Sequence, residues 1–214
     1  MLYLASALVA YFLGSIPWGY LAGKLNGVDL HKEGSGSTGA TNTLRVLGKP
    51  WGYTVFALDT LKGSLAVFAA FQISSRFFAS TPNETISAGV AAAIFAVIGH
   101  SYPVWLKFQG GKGIATSAGI MLALFPWPVF ASGLLVWLML FYSTRFVSVA
   151  SLGAAVALPS SSAVLWWLGD CDAIRTSIAA AMCVLAVWRH KSNISRLMAG
   201  TEKRFEKKSK PASQ

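Results

Sequence analysis

Charge is scarce in this chain. Of its 214 residues, 12% are Asp, Glu, Lys or Arg, about half the fraction usual in a soluble domain. Acidic side chains number only 8, so clustered aspartates that would hold magnesium for a phosphotransferase are missing. Cysteine is rarer still. Cys171 and Cys183 are expected in a short loop and inside a helix, which disfavours a disulfide, and neither has metal-site spacing. The nucleotide loop pattern G-x-x-x-x-G-K-[ST] is absent. A basic stretch before the first apolar run is absent too, so residues 1–23 do not read as a cleavable signal. These absences leave neither a metal nor a cofactor to be expected.

What is present is apolar surface: 54% of the residues are hydrophobic, with eight Trp available for interfacial anchoring. The chain reads as an all-α integral membrane protein. Runs of roughly 20 apolar residues mark spans at 2–23, 51–72, 85–106, 146–168 and 173–189. The stretch 113–143 carries Pro126-Trp127-Pro128 at its centre, and paired prolines break a helix, so it is read as two short spans, 113–125 and 129–143. Seven transmembrane helices result. The net charge of +10 falls between apolar runs and in the tail, which fits the positive-inside rule rather than nucleic acid. Lys24, Lys32, Arg45, Lys49, Lys107, Lys112, Arg145 and the region from Arg189 onward then lie in the cytoplasm. The N-terminus is outside and the C-terminus cytoplasmic. Residues 1–202 form one transmembrane catalytic domain, and 203–214 a basic tail expected to be disordered.

This topology brings three polar segments to one face. The first, "EGSGSTGATNTLRVLGK" at 33–49, alternates glycine with hydroxyls and ends on Arg45, which suits an oxyanion better than a flexible spacer. The second, "GHSYPVWLKFQGGKGIATSAG" at 99–119, puts Gly110, Gly111 and Gly113 around Lys112 at the start of a helix. Such a turn lets backbone N–H groups approach a phosphate, and the helix dipole favours the anion. A plain glycine turn with a positive-inside lysine accounts equally well for "GGKG" alone. The third, "RHKSNISRLMAGTE" at 189–202, sets His190 and Asn193 three apart on one face, although basic residues also simply end helices. Asp59 and Lys62, spaced i, i+3 inside a span, are expected to pair structurally. Glu202 is expected to be a structural partner for a basic residue, and His100 to hydrogen-bond a loop.

Together these segments resemble the three motifs of the bacterial acyl-phosphate:glycerol-3-phosphate acyltransferase family. The match is carried by Gly34-Ser35-Gly36, Gly39-Ala40-Thr41-Asn42, Arg45, Asp59 and Leu61-Lys62-Gly63. It continues through Gly99-His100, Pro103-Val104, Leu106-Lys107-Phe108, Gly110-Gly111-Lys112-Gly113 and Ala115-Thr116. It ends on Arg189-His190, Asn193-Ile194, Arg196-Leu197 and Gly200-Thr201-Glu202. The resemblance covers nearly the whole chain in order. One departure stands out: Ser37-Thr38 replace the usual Asn-Pro, keeping a hydrogen-bonding group but a shorter one.

The resemblance implies a seven-span enzyme of the bacterial inner membrane with its active site at the cytoplasmic face. Its partners would be acyl phosphate, glycerol 3-phosphate and membrane lipid, and it would make lysophosphatidate and phosphate. Ser35, Arg45, Lys112, His190 and Asn193 are the expected catalytic residues. Gly36, Gly39, Thr41, Asn42, Lys107, Gly110, Gly111 and Gly113 are the expected substrate- and phosphate-binding ones. The general base is left between His190 and a substrate phosphate. The histidine–four-residue–aspartate signature of other glycerolipid acyltransferases is missing after all three histidines. A transporter of phosphorylated metabolites would need polar residues along several spans, whereas here they gather at one face.

Overall fold

The computed structural model describes residues 1–205, which are all-helical. The first expected span is two helices, α1 (Leu2–Ser15) and α2 (Trp18–Leu25). Pro17 between them has no N–H to continue the ladder. The Ile16 carbonyl freed at this break accepts a hydrogen bond from Lys62 Nζ at 2.8 Å. The first polar segment is a loop followed by a short amphipathic helix, α3 (Ala40–Leu47). Next come α4 (Lys49–Phe77) and α5 (Pro82–Ser101). Thr81 and Glu84 cap α5 reciprocally, satisfying two of its orphan N-terminal donors. A 3-10 turn (Val104–Leu106) and the glycine loop lead to α6 (Ile114–Leu124) and α7 (Trp127–Thr144), which are separate at the prolines as expected. The chain closes with α8 (Val147–Leu168), α9 (Ala173–Arg189) and α10 (Lys191–Met198).

Five stretches are long and apolar enough to cross a membrane: Leu2–Leu25, Lys49–Phe77, Pro82–Leu106, Trp127–Thr144 and Val147–Leu168. The other two expected spans are shorter. At 1.5 Å per residue, α6 with 11 residues is about 16 Å long and α9 with 17 about 25 Å.

Small residues hold the bundle together. Ala10, Ala66, Ala70, Ala88, Ala92, Ala93 and Ala96 form a fully buried seam where α1, α4 and α5 meet. Lipid gives membrane helices no hydrophobic reason to associate, so close backbone contact takes over. A methyl group at Gly119 would overlap the Thr60 carbonyl, so glycine there is what lets α6 lie directly on α4. That contact fixes where the N-terminus of α6 points.

The tail departs from expectation in its first three residues. Lys203 O accepts from Arg45 at 3.0 Å, and Phe205 N donates to Arg145 O at 3.0 Å. The Arg45 guanidinium also lies 4.9 Å from the Phe205 ring centre. Lys203–Phe205 are therefore docked. Residues 206–214, the rest of the expected tail, lie outside the described residues.

Candidate active site

The three polar segments converge on one cleft of about 130 Å³. Ser35, Gly39, Thr41, Asn42 and Arg45 line it from the first segment, Lys112 and Gly113 from the second, and His190 and Asn193 from the third. The N-termini of α3 and α6 both reach it, through Ala40 and Thr41 on one side and Ile114 and Ala115 on the other. Each presents free backbone N–H groups and a positive dipole end.

The first segment is organised by Asn42, which is 1% exposed. Its Oδ1 accepts from Ser35 N at 2.7 Å, and its Nδ2 donates to Glu33 O at 3.0 Å and Leu30 O at 3.2 Å. Both amide hydrogens are thus committed. Asn42 shapes the loop from a position in the cleft lining. Ser37, where the family pattern has Asn, accepts from Gly39 N at 3.3 Å and steadies the entry to α3.

In the second segment, Gly113 stands at φ +83° as the N-cap of α6, a backbone conformation that favours glycine. Gly110 and Gly111 do not line the cleft; they hold it in place. Gly111 N donates to His100 O at 3.1 Å, and a methyl at Gly111 would overlap the His100 imidazole. The carbonyls of Gly111 and Gly110 accept from Arg189 at 2.8 and 3.3 Å, and the guanidinium is 4.7 Å from the Tyr102 ring centre. Gly36 and Lys107 do not line the cleft either. Lys107 is exposed and left-handed at φ +49°, where it ends the 3-10 turn outside the cleft lining.

The third segment carries a chain of charge-assisted bonds. Lys112 Nζ donates to Asn193 Oδ1. Asn193 Nδ2 donates to Glu202 Oε1 at 2.7 Å, and Arg196 Nε donates to Glu202 Oε2 at 2.7 Å. Burial opposes the charge on Glu202, but the bonds from Asn193 and Arg196 outweigh it and hold the carboxyl below its usual pKa. Glu202 is thus the structural partner expected from the sequence. Burial, helped by repulsion from Arg196, Arg45 and Arg189, lowers Lys112 to about 8.

His190 is 3% exposed. Its Nδ1 lies 2.7 Å from Ala186 O. A carbonyl only accepts, so Nδ1 carries the proton and Nε2 keeps its lone pair. Burial lowers the imidazole to about 4, leaving a neutral acceptor at pH 7.

Residues that sequence reasoning did not place there also line the cleft, among them Asp59, His100, Ser148 and Ser151. The signal for the serines was their i, i+3 spacing at the start of an apolar helix. Arg189 was read as a helix end, and its reach back to the glycine loop had no local signature. A second, apolar cavity of about 210 Å³ adjoins the cleft. Phe56, Ile114, Trp137 and Ser151 line both. The apolar cavity runs down between α6, α7 and α8 to Met121, Phe130 and Leu158.

Fold and site together define an integral membrane protein that can hold anionic groups beside an apolar chain. The chain belongs to the glycerol-3-phosphate acyltransferase family, which matches residues 4–200. It is thus an acyltransferase of phospholipid synthesis. It is 46% identical over 202 residues to the glycerol-3-phosphate acyltransferase of Synechococcus elongatus, covering 94% of this chain and 93% of that one. It is 40% identical to the enzyme of the same name from Hyphomonas neptunium over 212 residues, covering 99% and 96%. The crystal structure of PlsY, an integral membrane glycerol 3-phosphate acyltransferase, in its glycerol 3-phosphate form superposes with a TM-score of 0.82 at 37% identity, over 95% of this chain and 96% of that one. Its lysophosphatidic acid form gives 0.79 over 95% of each.

Proposed function

We propose that the enzyme transfers a fatty acyl group from acyl phosphate to the 1-hydroxyl of sn-glycerol 3-phosphate, giving lysophosphatidate and inorganic phosphate. The observation that carries this reading is the junction of the two cavities. A cleft with two helix N-termini and the cations Arg45 and Lys112 suits two phosphates. The adjoining apolar cavity suits the acyl tail of the donor. Acyl phosphate is already activated, so no covalent enzyme intermediate is needed. The protein's task is to neutralise phosphate, orient the hydroxyl and stabilise the tetrahedral oxyanion.

In this mechanism His190 Nε2 accepts the hydrogen bond of the attacking hydroxyl and orients it. The hydroxyl oxygen bonds to the acyl carbon, the carbonyl oxygen becomes an oxyanion against the N-terminus of α6, and phosphate departs as the carbonyl re-forms. With His190 at about 4 and a phosphate's second ionisation near 6, the proton ends on a substrate phosphate oxygen. Purified protein given glycerol 3-phosphate and palmitoyl phosphate is expected to release phosphate and lysophosphatidate one for one, and palmitoyl-CoA is not expected to replace the donor. Comparable turnover with the CoA thioester would refute the donor assignment.

The reading also requires the cleft to face the cytoplasm of a bacterial inner membrane, with seven crossings and the N-terminus outside. The Lys/Arg asymmetry supports this. In a variant with Cys171 and Cys183 replaced, single cysteines at Lys49 and Lys191 should resist an impermeant thiol reagent in intact cells, while one at Ala79 should react. The reverse pattern would overturn the orientation.

A further inference from the structure

Asp59 and Lys62 are 1% and 4% exposed inside α4, and His100 is 7% exposed near the end of α5. The mechanism above uses none of them. Ionisable groups at such depth are costly and are kept for a reason, and a neutral packing residue would fill α4 as well. Their contacts run in one direction. Lys62 Nζ bonds Ile16 O at 2.8 Å and pairs with Asp59 Oδ1 at 2.7 Å. The same Asp59 oxygen lies 3.5 Å from His100 Nδ1. His100 in turn backs the glycine loop: its carbonyl takes the Gly111 N–H, and its ring occupies the space a Gly111 side chain would need. Lys112 is the next residue, and the opposite side of the loop is held by Arg189.

Resting on the acyl transfer proposed above, we infer that Asp59 is a positioning residue that acts through His100 on the glycine loop, setting the place of Lys112 in the phosphate site. The carboxylate attracts the ring nitrogen that faces it and so turns the imidazole's other edge toward Gly111. Lys62 balances the carboxylate's charge, so the unit does not repel bound phosphates, and it ties the whole to the break at Pro17. The ordered series runs from the α1–α2 break to Lys112, the one lysine among the described residues that lines the cleft.

A residue that merely stabilises the bundle would, when altered, reduce the active fraction and leave KM alone. A positioning residue changes KM for one substrate. Three variants separate these outcomes: Asp59→Asn, His100→Gln, and the double change Asp59→Asn with Lys62→Met, which leaves no unpaired buried charge should Asp59→Asn alone fold poorly. Each is expected to raise, by at least about tenfold, the KM of whichever substrate loses affinity in Lys112→Ala, with kcat within about threefold of wild type. Combined with Lys112→Ala, each is expected to add little, because the path ends at that side chain. An unchanged KM with lowered kcat, or full additivity with Lys112→Ala, overturns the inference. Wild-type turnover in the same assay tests the acyl-transfer reading by itself, and only the ratios of variant to wild type bear on Asp59.

Discussion

His190→Ala and His190→Lys should both give folded protein that has lost about 100-fold in turnover, the cost of letting a reacting group slip by about 1 Å. The imidazole is fixed from behind by Ala186 O and buried among cations, which keeps it neutral. It therefore offers one acceptor, Nε2, to a hydroxyl in the cleft. Alanine removes that acceptor. Lysine restores a polar group but has only donors, and it would add a positive charge beside Lys112. If His190 only ended α9, the lysine variant would be nearly normal, since interactions with a helix dipole contribute about 0.3–1 kcal/mol. Turnover followed by phosphate release, with melting temperature and elution volume as folding controls, decides between the two. Near-normal activity in His190→Lys would remove this residue from the active site.

Lys112 gives the second large effect, and it has a pH signature. The free protein holds this amine at about 8, and an anion prefers its charged form. Between the phosphate's second ionisation, near 6, and about 8 the ammonium faces a doubly charged phosphate and affinity changes little. As pH rises through about 8 the charge is lost, and KM should climb by up to about tenfold per pH unit. Lys112→Arg, charged throughout, should flatten the rise whatever its affinity at neutral pH. Lys112→Ala should weaken binding by about 1.5–3 kcal/mol, the worth of a hydrogen bond to a charged group. Lys107→Ala, at an exposed turn outside the cleft, should stay within about 0.5 kcal/mol of wild type. A flat KM–pH curve in the wild type, or equal damage from Lys107→Ala, would exclude Lys112 from phosphate binding.

How much of this was legible depends on the range of the interaction. The split at Pro126-Trp127-Pro128 was readable because proline acts on its own helix. The Asp59–Lys62 pair was readable from i, i+3 spacing. The convergence of the three polar segments followed from charge and span parity, which constrain a membrane chain more tightly than a soluble one. Pro17 carried the same breaking signal as Pro126 but sat in an otherwise unbroken apolar run, which masked the α1–α2 division. The roles of Asn42, Lys107 and Arg189 were out of reach. Residue type announced that each was polar. Arg189 reaches a partner 79 residues away in sequence, and no local pattern encodes that.

The shortness of α6 has a consequence for how two unlike reactants can meet. About 16 Å of helix covers roughly half of a 30 Å hydrocarbon layer, so on the seven-crossing reading proposed above the positive end of α6 would open inside the slab rather than above it. Irregular backbone is tolerated at that depth only where protein or water surrounds it, and the clamped glycine loop meets this condition. On that reading the boundary between water and oil is drawn inward at this spot. An amphiphile can slide in sideways with its tail still in oil, while a small polar solute descends a short way to meet it. Neither has to leave its own phase for the bond to form.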